Sequence, residues 1–128
     1  MEASVLLDAH IQLKRIYTAL NECLDLTRQM ADAVDRRDKV SMQLLISMRE
    51  EPVNKLRQGR SALERQRDIL EPAEGRRLAA LLNGGPPQEE SEAPLAKQVD
   101  MNARVLRQLQ DLDKAVSLKL NRDKSIYQ

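Results

Sequence analysis

Residues 4–34 contain no glycine and no proline, and their apolar side chains return at alternating spacings of three and four. Leu6, Ala9, Leu13, Ile16, Leu20, Cys23, Thr27, Met30 and Val34 make up that series. A spacing of three and four keeps side chains on one face of a helix with 3.6 residues per turn. The pattern predicts a single helix about 45 Å long at about 1.5 Å per residue. Ser4 is placed to cap it, with Asp8 in the first turns to suit the helix dipole. A helix of this length in a chain of 128 residues must bury its stripe against other long helices. Composition agrees. Aromatic residues are 2% of the chain, with neither Phe nor Trp, so a β-sandwich or barrel built on aromatic and β-branched residues is disfavoured. The expected fold is all-α: an antiparallel helical bundle or coiled coil of three long helices and one short one, as a single domain over residues 1–128.

The other elements follow from breaks in the apolar pattern. Residues 35–38 are a polar interruption. A second helix is expected over about 38–70, with Leu45, Met48, Leu56, Leu63 and Leu70 as its stripe. Pro52 lacks an N–H and Gly59 is a weak helix former, yet the stripe runs past both. One kinked helix is the reading, against two helices with Pro52 opening the second. A short helix is expected over 72–82, stopped by Asn83-Gly84-Gly85. Residues 84–94 are rich in Pro and Glu without apolar periodicity and read as a flexible linker. The last helix spans about 94–121.

Charge excludes several functions. There are 21 basic and 20 acidic side chains, a net charge of +1, so no overall field favours nucleic acid or an anionic membrane. The charge alternates along the chain: net −3 over residues 1–35, +4 over 36–70, −3 over 71–96 and +3 over 97–128. Opposite signs suit the first helix lying between the second and the last. Arg57, Arg60, Arg65 and Arg67 are scattered around their helix without interleaved aromatics, which reads as a solvated face. The longest apolar runs fall far short of the ~20 residues that span a bilayer, and the opening residues lack the basic stretch of a secretion signal.

Catalytic chemistry has few residues to draw on. With one His and one Cys, no disulfide within the chain and no Cys-clustered metal site can form. His10 has no Glu-x-x-His partner. Cys23 sits on the first apolar stripe and reads as a small core residue, which suits a reducing cytosol. Glu50-Glu51 and Glu89-Glu90 are sequence neighbours and read as solvated, because adjacent residues on a helix do not face each other. Gly84-Gly85 precedes Pro-Pro, so it is a helix stop and not a phosphate loop. No cofactor and no metal is expected, and the chain does not read as an enzyme. Met30, Met42, Met48 and Met101 lie on or beside helical stripes and read as core filling.

The last helix carries the most informative pattern. Leu95, Val99, Met101, Val105, Leu106, Leu109, Leu112, Val116 and Leu120 fall within an arc of roughly 160° on a helical wheel. The plainer reading is that both other long helices cover this arc. The sharper one is that part of it awaits a partner helix. Gln98, Asn102 and Asp113 within the arc predict imperfect burial.

The layout resembles the FlgN-like flagellar export chaperones, with the FliT-type chaperones close behind. Leu44-Leu45 through Met48-Arg49-Glu50-Glu51 to Leu56 is similar to that family's run of leucines, Arg-Glu and leucine. Asn102 followed by Val105-Leu106 resembles its Asn and aliphatic pair, and Ser125-Ile126-Tyr127 its tyrosine-bearing end. The family's Gly after that Tyr is absent, as is a second Asn, where Ala103 and Arg104 stand. The resemblance implies a cytoplasmic chaperone that binds the C-terminal helices of flagellar hook-associated proteins and hands them to an export-gate component. Val99, Asn102, Val105, Leu106, Leu109, Leu112 and Val116 would then meet the cargo, and Tyr127 the gate. The alternative is a structural bundle subunit whose stripes close a homo-oligomer.

Overall fold

The structure is a computed structural model that describes residues 1–122. Tyr127 and the rest of residues 123–128 lie outside the described residues. The described residues form five α-helices: α1 (Ala3–Asp35), α2 (Lys39–Met48), α3 (Glu50–Asp68), α4 (Pro72–Leu82) and α5 (Ala93–Arg122). A 3-10 turn at Glu90–Glu92 leads into α5. The all-α bundle expected from the stripes is the observed fold.

The uninterrupted series in α1 is buried as its spacing requires. Leu6, Ala9, Leu13, Leu20, Cys23, Thr27, Met30 and Val34 all lie in the interior. The helix starts one residue before Ser4, with Glu2 at the N-cap position and no side-chain cap bond, so the expected Ser4 cap does not form. It ends in a tight reversal. Arg37 takes the left-handed conformation (φ 57°), and the N–H groups of Arg37 and Asp38 donate to the carbonyls of Val34 and Ala33. That pair of bonds is the usual helix-end closure, made here without glycine. Asp38 then caps α2, accepting from the Ser41 N–H at 3.0 Å and its hydroxyl at 2.6 Å. These two bonds hold its carboxyl below the ordinary value.

Helices α2 and α3 are one bent rod. Arg49 between them keeps helical angles (φ −71°, ψ −17°), and Pro52 follows in the first turn of α3. Proline offers no N–H to the carbonyl four residues back, so the ladder opens there and the rod bends without reversing. The single kinked helix read from the sequence is correct.

Helix α3 runs antiparallel to α1. Lys55 lies 3.9 Å from Glu22, Gly59 faces Ile16, and Leu63 joins Leu6, Ala9 and Leu13 in one cluster. Helix α5 runs parallel to α1. Asn102 is bonded to Leu13 near one end, and Lys119 to Asp35 at the other. The chain turns back after α4, where Gly84 adopts φ 94° and Gly84 and Gly85 close the helix end on Leu81 and Ala80. Helix α1 therefore lies between α3 and α5, as the alternating charge suggested.

Within the segment read as a flexible linker, residues 88–92 are held in a bonded turn against α4. Glu92 is 1% exposed and pairs through both carboxylate oxygens with Arg77 of α4. It also accepts the N–H groups of Gln88 and Glu89, at 2.8 and 3.2 Å. Glu89 and Glu92 form a reciprocal capping box at this turn. Periodicity could not reveal this, because the partner is 15 positions away and the segment buries a charge rather than an apolar face.

Two expectations follow. A Cβ on Gly59 would stand 2.6 Å from Ile16 Cγ1, so the α1–α3 approach needs glycine there. Gly59→Leu should lower stability by about 1–3 kcal/mol despite leucine's better helix propensity, read as a lower thermal midpoint. The Arg77 guanidinium holds the Glu92 carboxyl below its usual range. A depressed carboxylate contributes stability above its unfolded value, near pH 4.3, which is lost as pH falls through its folded value. Arg77→Met should therefore cost roughly 3–5 kcal/mol at pH 7. In urea unfolding, the gap between variant and parent should narrow as the pH drops below about 4.

Candidate functional site

Helices α1, α3, α4 and α5 contact one another in a ring, each touching the next. In that ring α4 takes the fourth corner, opposite α1. Its Leu78 and Leu81 pack with Leu63 of α3, with Leu95 and Val99 of α5, and with Leu6, Ala9 and Leu13 of α1. Helix α4 has only 11 residues, whereas α1 and α5 have 33 and 30. Beyond Leu82 the fourth corner is not filled by any described helix.

The stripes that hold α4 continue past its end. Seven residues back from Leu63 on α3 is Leu56, and seven further is Arg49. Seven residues on from Val99 on α5 is Leu106, and seven further is Asp113. Seven-residue steps stay on nearly the same helix face. A groove of about 190 Å³ opens there, floored by Cys23 and walled by Val53, Leu56 and Leu109. A separate hollow shares Val53 and Arg49 as lining residues and is bordered by Ile46 and Arg57.

The groove's far end is closed by charge. Arg49 donates to Asp113 at 2.7 Å and to the Thr27 hydroxyl at 3.1 Å, joining the α2–α3 bend, α5 and α1. The Thr27 hydroxyl in turn donates to the Cys23 carbonyl at 2.7 Å. Burial pushes the Cys23 thiol up from its ordinary value, more than nearby Arg49 pulls it down. At neutral pH the thiol is protonated, and a protonated thiol is a poor nucleophile. Among the described residues no group of three or more His, Cys, Asp or Glu side chains is placed to hold a metal ion, and no helix is long and apolar enough to cross a membrane.

The residues singled out on the last helix separate into two sets. Val99, Asn102, Val105 and Val116 are interior. Val105 packs on Leu20 and Leu24, and Val116 on Met30, Val34, Met42 and Leu45. Leu109 lines the groove, Leu112 packs half-buried beside it, and Leu106 is 41% exposed. The wide arc is thus covered by α1, by α4 and, at Val116, by α2, while Leu106 stays part exposed. The expected imperfect burial holds for Asp113, whose side chain is 46% exposed, and is corrected for the other two polar residues. Gln98 and Asn102 are buried. Gln98 donates to the Asn102 side-chain oxygen at 2.9 Å, and Asn102 donates to the Leu13 carbonyl at 2.9 Å. Asp113 is held by Arg49. Of the methionines read as core, Met30 and Met42 are buried, whereas Met48 is largely exposed. Sequence reasoning missed the groove's α3 wall. The signal was present in the seven-residue repeat Leu70, Leu63, Leu56, Arg49, whose charged end marks where apolar packing stops.

Compared with protein-family models, curated proteins and solved structures, the chain matches none.

The Asn102 bond is testable apart from any ligand. Asn102→Ala strands the Gln98 amide and deletes an α1–α5 bond, so it should cost about 1–3 kcal/mol, measured as a shift in urea midpoint.

Proposed function

We propose that this chain is a cytoplasmic flagellar export chaperone. It binds the C-terminal helical segment of a hook-associated protein, keeps it unassembled and delivers it to the export gate. The observation that carries this reading is the open fourth corner above α4, where Leu56 and Leu109 line a groove and Leu106 stands part exposed on α5. An amphipathic cargo helix laid there would extend the line of α4 and cover apolar surface that the free chain leaves exposed. The stripe-bearing layout and the Leu44–Leu56 and Asn102–Leu106 runs, similar to FlgN-like chaperones, support the same reading. Capture of this kind uses shape and apolar burial and needs no catalytic group.

The test is a calorimetric titration of the full chain with a hook-associated protein's C-terminal segment. Leu106→Asp should leave the melting temperature near that of the parent, because Leu106 is already part exposed. It should weaken binding ~10–100-fold, the equivalent of losing one buried leucine, roughly 1.5–3 kcal/mol. Val116→Ala should do the reverse, lowering the melting temperature through an interior cavity while affinity holds. Tyr127→Ala should leave cargo affinity unchanged and reduce export.

One observation favours the structural-subunit reading. Val40, Leu44 and Met48 form an exposed apolar line on α2, at the four-residue spacing of a helix seam. A stable oligomer in sedimentation, indifferent to hook-associated segments and abolished by Leu44→Glu, would replace the chaperone reading.

A further inference from the structure

A concavity of about 650 Å³ lies on the outer side of the α1–α3 pair, and no carboxylate lines it. Its floor is Ala19, Gly59 and Ala62, and its rim carries Arg15 from α1 with Lys55 and Arg65 from α3. The floor is low because Gly59 lets α3 close on Ile16 and the alanines beside it raise no ridge. Arg15 and Arg65 are exposed and make no ion pair or side-chain hydrogen bond. Lys55 is shared with Glu51 at 3.5 Å and Glu22 at 3.9 Å, which marks the upper limit of the positive stretch. Along α3 the rim and floor residues Lys55, Gln58, Ala62 and Arg65 recur at three and four, the spacing with which one helix meets another.

We propose that this groove is a second docking surface, for an acidic α-helix of another protein. The small floor lets a helix approach closely, and the rim offers unpaired guanidinium groups to carboxylates flanking its contact face. Arginine suits this because its planar fork binds a carboxylate through two bonds. A second copy of the chain does not fit, since a symmetric pairing through this face would set the same cations against each other. The surface is separate from the corner above α4 and does not depend on the reading proposed for it.

The probe is a 21-residue helical peptide of alanine and glutamate, with alanines on one face and glutamates beside them. Its control has every glutamate replaced by glutamine. Amide shifts of the full chain are followed by nuclear magnetic resonance during titration. The acidic peptide should shift Ala19, Gly59 and Ala62, and bind at least tenfold more tightly than the glutamine peptide. Two variants separate charge from shape. Arg15→Glu with Arg65→Glu changes only exposed side chains and should weaken binding at least tenfold, with the circular dichroism spectrum unchanged. Ala62→Leu raises the floor and should weaken binding while all the cations remain. Equal binding of both peptides, shifts confined to other faces, or an unchanged affinity in the charge-reversal variant would overturn the proposal. A short single-stranded RNA that shifts the same amides at lower concentration than the acidic peptide would overturn it in favour of nucleic acid.

Discussion

The most extensive helix–helix packing in this molecule passes through α1. Helices α3 and α5 both lie against it, α2 covers its far end, and its buried residues, from Leu6 to Val34, feed all three apolar clusters. Burial of apolar surface supplies most of the stabilisation but has no direction. Two helices joined by such a stripe could slide by a turn at small cost. Asn102 restricts that freedom for α5, because its buried side-chain N–H must meet the Leu13 carbonyl, with the amide held in orientation by Gln98 of the same helix. A slip of one turn would strand buried polar groups, each costing about 1–3 kcal/mol. Gly59 plays the same part for α3, since only its missing Cβ leaves room for Ile16.

Two ion pairs bound the region where α4 sits and where it stops. Arg77–Glu92 fixes the return segment to α4 at one end, and Arg49–Asp113 ties the bent rod to α5 at the other. They differ in surroundings. Glu92 is fully buried and surrounded by donors, so removing its partner leaves a charge with no access to water. Asp113 is 46% exposed, so water can replace Arg49 at little cost. The pair beside the groove is therefore the one that can open while the fold stays intact.

The helices and the order of their packing were legible because each stripe repeats over several turns and the apolar spacing itself encodes the face. The bend was legible because proline removes a donor wherever it stands. What was hidden were the features made by single residues far apart in sequence. Arg77 and Glu92 are 15 positions apart, and neither breaks a periodic pattern. Asp113 looked like a flaw in an apolar arc until Arg49, 64 positions away, was placed opposite it. The open corner was only half visible: the width of the α5 arc gave one wall and the stop at Leu82 was legible, but the α3 wall at Val53 and Leu56 needed the fold. Arg37 shows the same limit at the level of the backbone: its left-handed turn carries none of the glycine signal that marks the end of α4.

The parallel course of α5 beside α1 has a consequence for the order of assembly. Asn102 meets Leu13 and Lys119 meets Asp35, contacts that span 89 and 84 positions, whereas α1, α2 and α3 are joined by short turns. Contacts between distant positions wait on closure of a long loop, which slows their formation. A hairpin of α1 with the bent rod is thus the piece that forms early, and α5 docks last. On a ribosome adding about 5–20 residues per second, the side of α1 that receives α5 stays uncovered for roughly 5–15 seconds while the intervening chain is made. The finished molecule hides that side, but every newly made copy passes through a period of showing it.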